Sequence, residues 1–356
     1  MLFSFVFYLS LLLFCGIFAW MADRRSSKLF LWLIILSLSL VAGFRAYSVG
    51  IDTQRYVDKF SYIYRGMFRY AYGFEESFKY ICYVVLHIVP NASFLLGLLS
   101  FITNAAIILR FWEYRKLSSF PCMVVFYYMS FYFMSLNGVR QFVAVAIVFW
   151  GTRYLGQKKF FSFIVCICIA SLFHHTAILA LFLLLLNLFQ WKDLYRSQKQ
   201  LFILFALCLP LIVVLLSNNL NQYSRYFAIR SFNIGMIIPV KLILWMLCLF
   251  LTAHSFRYQD FLFGIDNASR FNIQISYINY LIGLILAALV YFFPTFIERI
   301  SWYFYVYEGV FYGALLKNTD KETRTPLAFI ICFLIGYAFL YSMVHNSQGT
   351  MPYLFV

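Results

Sequence analysis

The chain has 356 residues, of which 64% are hydrophobic and 12% are charged, and its mean hydropathy is +0.83. A soluble domain of this length needs far more charge to cover its surface, so the composition excludes an ordinary soluble protein. The formal net charge is +15, but no basic run or RNA-binding signature occurs, which argues against nucleic acid as a partner.

Apolar runs of about 17–25 residues recur along the chain, and each is long enough to cross a bilayer. They predict an all-α, polytopic integral membrane protein with about 12 transmembrane helices in a single domain, residues 1–356. The first run lacks a preceding basic residue and a small-x-small cleavage site, so we interpret it as a retained helix rather than a signal peptide. In chain order the predicted spans are 2–20, 28–46, 92–111, 118–136, 139–157, 160–174, 175–190, 201–217, 236–253, 275–293, 302–316 and 327–345.

The apolar segment 74–89 decides the orientation of everything that follows it. It opens with Glu75 and Glu76 and carries Lys79 and His87. If it crossed the membrane, the later loops that are rich in Lys and Arg would lie outside, against the positive-inside rule. We therefore predict an interfacial helix within a long outer loop, about residues 47–91.

Lysines and arginines distribute unequally over the predicted loops. Six connections on one side hold 17 of the chain's 28 basic residues, and that side is predicted to be cytoplasmic. The outer half still keeps eleven, and six of these lie in one outer segment: Arg45, Arg55, Lys59, Arg65, Arg69 and Lys79. Because outer loops are normally poor in arginine and a guanidinium binds phosphate bidentately, this predicts an anionic ligand at the outer face.

Four polar islands interrupt the apolar pattern, and all of them lie on the outer side in this predicted topology. They are Gly43–Tyr56, Leu136–Gln141, Leu172–Ala177 and Phe296–Phe304. The second is a tight turn between two spans, and the third divides an apolar run of about 30 residues. Polar groups that are retained at a membrane domain tend to mark a site.

The islands resemble the EpsG-like branch of the bacterial polysaccharide polymerases, the Wzy or O-antigen polymerase group. Members show an Arg followed by V-G-x-D-T-x-x-Y, then N-G-[IV]-R-Q, then F-H-x-[ST]-A. The matching residues are Arg45, Val49, Gly50, Asp52, Thr53 and Tyr56; Asn137, Gly138, Val139, Arg140 and Gln141; and Phe173, His174, Thr176 and Ala177. Looser matches are Ser224–Phe227, Arg299 with Tyr303 and Phe304, and Pro352 with Tyr353.

The resemblance implies a multi-pass protein of the bacterial inner membrane that acts at the periplasmic face. It implies a transferase that joins undecaprenyl-pyrophosphate-linked oligosaccharide repeat units and releases undecaprenyl pyrophosphate, without a nucleotide sugar, a metal or another cofactor. Besides this substrate and membrane lipid, the implied partners are a chain-length regulator and a flippase. Repeat-unit sugars, linkage and anomeric outcome are not determined by the sequence.

Preorganised cations at a water-poor interface can position two sugars and stabilise charge that develops on pyrophosphate. The predicted catalytic residues are His174, Arg140, Arg299 and Asp52, with the base for the acceptor hydroxyl being His174 or an outer carboxylate such as Asp52, Asp58, Glu75, Glu76 or Glu298. The predicted substrate-binding residues are Arg45, Thr53, Tyr56, Asn137, Gln141, Arg225, Arg230 and Lys241.

Structural roles compete with each assignment. Arg140 could cap a helix or extend to headgroups, His174 could satisfy backbone groups at a helix break, and Asp52 could be an N-cap. Lys241 and Glu308 lie within predicted spans, where an ion pair would serve packing.

Three other functions fit the same pattern. A flippase or transporter of lipid-linked sugar would favour repeated halves and a central cavity, and no repeat is visible here. A membrane O-acyltransferase would need a cytoplasmic donor site, although the cytoplasmic loops are short, and an O-antigen ligase is chemically close to the polymerase.

Overall fold

The fold comes from a computed structural model that describes residues 2–185, 241, 243–244, 267–288 and 296–356. This part of the chain is helical, and its one strand-like contact is an isolated antiparallel bridge between Arg45 and Phe355. The α-helices are α1 (Leu2–Arg25), α2 (Lys28–Gly43), α3 (Thr53–Tyr64), α4 (Glu76–Ile88), α5 (Ala92–Tyr114), α6 (Phe120–Tyr127), α7 (Phe133–Asn137), α8 (Val139–Gly151), α9 (Arg153–Gly156), α10 (Phe160–Phe173), α11 (Phe182–Leu185), α12 (Asn267–Ala288), α13 (Phe296–Tyr305), α14 (Glu308–Asn318) and α15 (Lys321–Val344). Phe68–Ala71 and His175–Leu181 form 3₁₀ turns, and Tyr128–Tyr132 forms a π-helical turn.

Three described helices, α1, α5 and α15, are long and apolar enough to cross a membrane. Protein covers only 28% of the most apolar stretch of α1 and of α15, and large apolar side chains such as Leu13 and Phe329 are exposed. Such exposed apolar surface is what lipid contact requires. Together with the shorter apolar helices α2 and α10, these elements indicate a multi-pass membrane protein, while the number of 12 spans stays a prediction.

Close helix contacts organise the described bundle. α5 packs between α2 and α8, α8 packs on α10, and α6 packs on α1 and α14. On α14, Gly309 lies against the backbone of Met123, and Gly313 lies against Ser118 at the start of α6. Small residues four apart let two helix backbones approach closely, which is a common way to pack helices in membranes.

The predicted outer loop folds into α3, the 3₁₀ turn and α4, so the helix expected within 74–89 is confirmed. α4 has 13 residues and is therefore about 20 Å long. It buries Phe78, Cys82 and Leu86 along one face and packs on α3, α5 and α10. This one-sided burial is what an interfacial helix requires.

The structure corrects three predicted spans. The helix predicted over 302–316 is divided between α13 and α14. The turn places the Glu308 carboxylate 2.8 Å from Lys241 Nζ and 3.1 Å from the Tyr280 hydroxyl. The break thus lies within an apolar run, and the helix that follows it begins with a buried carboxylate.

The other two corrections concern helix type. The predicted span 118–136 contains the π turn, from which the hydroxyls of Tyr128 and Tyr132 donate to the carbonyls of Tyr8 on α1 and Leu38 on α2. The predicted span 175–190 begins as a 3₁₀ turn. The predicted spans 201–217 and 236–253 lie outside the described residues, apart from 241, 243 and 244.

Candidate active site

The tight turn between α7 and α8 brings distant parts of the chain together. Asn137 ends α7, and its Oδ1 accepts from the backbone N–H of Asp52 at 3.4 Å. Its Nδ2 donates to the carbonyl and to the side-chain oxygen of Gln348, both at 2.9 Å. The first and second sequence islands therefore meet each other and also meet a segment near residue 348.

Gly50 permits this meeting. Its φ is +100°, a conformation that side chains rarely adopt, and a Cβ there would lie 2.6 Å from Thr53 Oγ1 and 2.9 Å from Asn137 Oδ1. Its N–H donates to the carbonyl of Gly349 at 2.7 Å. Gly50 thus lets two backbones and the Asn137 amide lie close together.

Arg45 stabilises the same region through hydrogen bonds. It is 1% exposed, and its guanidinium donates to the carbonyls of Ala42 and Leu136 at 2.7 and 2.8 Å and to Thr53 Oγ1 at 3.3 Å. Thr53 is fully buried and donates to Val49 O at 2.7 Å. In this structure Arg45 and Thr53 hold α2, α3 and α7 together.

A buried ionic cluster lies beside the turn. Arg140, in the first turn of α8, forms an ion pair with Glu75, which precedes α4. The other oxygen of Glu75 lies 2.7 Å from His174 Nδ1. Glu75 and His174 side chains are each 4% exposed, so the loop, α8 and the end of α10 contribute one residue each to a cluster shielded from water.

Local backbone geometry sets the position of His174. α10 ends at Phe173, and His174 is extended, with φ −155° and ψ 119°. The following 3₁₀ turn begins at His175, whose N–H donates to Glu75 Oε1 at 3.4 Å. Because the Glu75 carboxylate accepts a hydrogen bond from the Nδ1–H of His174, the lone pair of the neutral ring is on Nε2. Among the described residues, the buried Nε2 has no hydrogen-bond partner.

Glu75 is ionised at neutral pH. Burial by itself raises the pKa of Glu75, but the hydrogen bond from His174 and the charge of Arg140 outweigh it and lower the pKa from 4.5 to about 2. Two cations lie against the ring of Phe74. Its centre is 4.3 Å from the Arg140 guanidinium and 4.6 Å from Lys59 Nζ. Burial and the charges of Arg140 and Arg55 lower the pKa of Lys59 to about 8.

A cavity of about 290 Å³ opens at the turn between α7 and α8, where it is lined by Asn137 and Gly138, the latter two residues before Arg140. Its lining includes Asp52, Asn137, Glu298, Arg299, Trp302 and Gln348. Trp302 packs on Phe142 with ring centres 5.0 Å apart, and a Cβ at Gly138 would lie 3.1 Å from its ring. Three of the four islands, the first, second and fourth, therefore contribute to one cavity.

Three further contacts connect the elements that carry the cavity and the ionic cluster. Gln141, next to Arg140 in sequence, donates from Nε2 to the Arg299 carbonyl at 2.6 Å. The Tyr56 hydroxyl lies 3.5 Å from the Arg140 backbone N–H. Thr176, after the histidines, is 3.1 Å from the Tyr303 hydroxyl. These bonds tie α3, α8, α13 and the 3₁₀ turn to one another.

Lys241 lies elsewhere. It pairs with Glu308 and lies 3.2 Å from Ser130 Oγ in the π turn, which is the packing role that the sequence offered as its alternative. Arg225 and Arg230 lie outside the described residues. Among the described residues, no group of three or more His, Cys, Asp or Glu side chains is placed to hold a metal ion.

Three residues have roles in this region that were not predicted from sequence. Glu75 was offered only as one of five carboxylates for the base, although its place in an arginine-rich segment was a signal for an ionic partner. Trp302 lay in the fourth island and inside a predicted span, but no role was predicted for it. Gln348 carried no signal, because nothing in the local sequence indicates that it reaches Asn137, 211 residues away.

No curated protein and no solved structure matches the chain significantly. The EpsG family matches residues 28–355, nearly the whole chain and all four islands. Membership of that family implies a role in exopolysaccharide biosynthesis. The chain therefore belongs to the EpsG family.

Proposed function

We propose that this protein is a polysaccharide polymerase of the bacterial plasma membrane. It would join undecaprenyl-pyrophosphate-linked repeat units at the outer face and release undecaprenyl pyrophosphate. The observation that carries the proposal is the Arg140–Glu75–His174 cluster beside a cavity lined by Arg299 and Asp52. Family membership supports the substrate class.

The proposed base is His174. Its Nε2 takes the proton of the acceptor hydroxyl while that oxygen bonds to the anomeric carbon of the growing chain. The bond from that carbon to the pyrophosphate oxygen breaks, and the leaving group takes the electron pair. Glu75 fixes the imidazole tautomer through Nδ1 and stabilises the imidazolium that forms, as a carboxylate does beside a catalytic histidine.

The proposed binders of the leaving pyrophosphate are Arg299 and Arg140. Arg140 also contributes, after the hydrogen bond from His174, to lowering the pKa of Glu75, so it acts on the leaving group and on the carboxylate that orients the base. Lys59, with its ammonium 4.6 Å from Phe74, adds positive charge on the same side. Fixed cations that face developing negative charge lower the barrier without reorganisation.

The experiment is complementation of a strain that lacks this gene and retains the rest of its polysaccharide pathway. Polymerase activity predicts that the deletion strain makes single repeat units outside the cell and no ladder of longer chains. The wild-type gene should restore the ladder, whereas His174→Ala should restore only traces at a normal protein level.

The same strain separates the proposal from a flippase. Loss of a flippase leaves lipid-linked repeat units at the cytoplasmic leaflet, where an impermeant glycan-oxidising reagent does not reach them in intact spheroplasts. Repeat units that are protected in the deletion strain and become accessible on complementation would contradict the polymerase proposal.

A further inference from the structure

The cavity contains a hydrogen-bond donor, the side-chain amide of Gln348, to which the described residues offer no acceptor. Two backbone groups fix the orientation of the Asn137 amide: the N–H of Asp52 must face its oxygen, and the carbonyl of Gln348 must face its nitrogen. The Gln348 side-chain atom 2.9 Å from Asn137 Nδ2 is therefore Oε1. Within the described part of the chain, the Nε2 group of Gln348 donates to no acceptor, although Gln348 lines the cavity.

The backbone around Gln348 is held rigidly. Asn346 accepts from the Met351 N–H at 2.9 Å and donates to the Met351 carbonyl at 2.7 Å. The Gly349 carbonyl accepts from Gly50, and the hydroxyl of Tyr8 donates to the Thr350 carbonyl at 3.0 Å. The amide of Gln348 is thus preorganised, which lowers the entropy cost of using it to bind a ligand.

The chemistry of the lining indicates what fits. Asp52, whose carboxylate pairs with Arg55 at 3.1 Å, and Glu298 supply hydrogen-bond acceptors to the lining, and Arg299 supplies donors. Planar amide and carboxylate groups suit hydroxyls, and the indole of Trp302 offers an apolar face. A volume of about 290 Å³ lies at the small end for ligand pockets and takes one ring rather than an oligosaccharide.

We propose that this cavity binds the terminal sugar ring of the acceptor repeat unit, and that Gln348 is a specificity-determining residue that donates to one of its hydroxyls. The inference rests on the proposed polymerase function and deepens it. The acceptor ring occupies the Asp52–Trp302–Gln348 cavity, and the donor pyrophosphate binds at Arg299 and Arg140.

The test uses the purified full chain in lipid nanodiscs, with a repeat-unit glycoside that lacks pyrophosphate and can accept but cannot donate. In Gln348→Glu, an isosteric variant, the acceptor oxygen for Asn137 is retained and the free donor is lost. We expect its KM for the glycoside to rise about tenfold, the loss of one hydrogen bond. We expect kcat and the KM for the lipid-linked donor to stay within roughly threefold.

Gln348→Met, which is also similar in shape, should raise the same KM without adding charge. Gln157→Glu is the matched control, since Gln157 is exposed at the end of α9 and its substitution should change neither KM. An unchanged acceptor KM in Gln348→Glu and Gln348→Met, or a rise in the donor KM instead, would overturn the inference.

Binding is also measured without turnover. In a cysteine-free background, the glycoside should slow maleimide labelling of Gln348→Cys and leave labelling of Ser48→Cys unchanged, because Ser48 is exposed and does not line the cavity. Protection of Gln348→Cys, together with a wild-type protein that forms no polymer, would contradict the proposed function and support the cavity assignment. Equal labelling with and without glycoside would refute the cavity assignment itself.

Discussion

Glu75→Gln is the sharpest perturbation of the ionic cluster, because it removes one charge and leaves the shape. The fall in the pKa of Glu75 from 4.5 to about 2 corresponds to about 3 kcal/mol in favour of the ionised folded state. Its side chain is 4% exposed, so solvent screens little of this. We expect Glu75→Gln to lower the free energy of unfolding by a similar amount, about 3 kcal/mol, and to reduce polymerisation on the order of 10²-fold.

Glu76→Gln is the matched control for this variant. Glu76 is adjacent in sequence and pairs with Lys79, but its side chain is 73% exposed. Pairs that exposed contribute little, so the control should retain wild-type stability and a full polymer ladder. The measurements are the midpoint of thermal denaturation in detergent and the polysaccharide ladder of a complemented deletion strain.

The pH dependence gives an independent check on the same carboxylate. Because the folded-state pKa of Glu75 is lowered, its contribution is complete above pH 4.5 and is lost as the pH falls from 4.5 to about 2. The difference in stability between wild type and Glu75→Gln should therefore shrink over that range. A constant difference, or a Glu75→Gln variant with a normal ladder, would refute the role of the charge.

A double-mutant cycle tests whether Arg140 acts through Glu75. Arg140→Ala and Glu75→Gln each disrupt the same ion pair, so their effects on stability should be far from additive. Strictly additive effects would show that the two side chains contribute independently, against the contact in the structure.

Three further predictions concern catalysis and topology. Arg299→Ala should abolish the ladder at a normal protein level, with Arg299→Lys restoring only part because it loses bidentate geometry; a full ladder from the alanine variant would remove Arg299 from the mechanism. His174→Ala should leave traces of polymer and accumulate single-repeat product, whereas Asp52→Asn should mainly raise the KM for substrate; the reverse pattern in a kinetic assay would transfer the base to Asp52. Ser48→Cys should react with an impermeant maleimide in intact spheroplasts, and Gln157→Cys should not. Both positions are exposed, but only Ser48 is predicted to lie outside. The opposite labelling would show that the predicted membrane topology is inverted.

Much of the helical pattern followed from apolar runs, since a helix in lipid must satisfy its backbone internally and shows this as continuous hydrophobicity. The prediction worked for α5, found at Ala92–Tyr114 against 92–111. It failed at Val306, where α13 gives way to α14, because hydropathy does not register a break that lies between aromatic residues.

Site residues were predictable where a local motif marked them. The turn at Asn137 and the break at His174 were both visible in the sequence. The partners of those residues were not, because Glu75 and Gln348 come from parts of the chain 99 and 211 residues away. Arg45 shows the converse: an outer arginine predicted to bind substrate donates to the protein's own carbonyls.

The tie between Asn137 and Gln348 also sets the order in which the site forms during synthesis. The two residues are separated by 211 positions, which a ribosome takes about 10–40 seconds to translate at 5–20 residues per second. Until Gln348 has been made, the Asn137 amide cannot donate to it, and the cavity lacks one wall. The pocket is therefore completed only by the last of its lining residues to be translated.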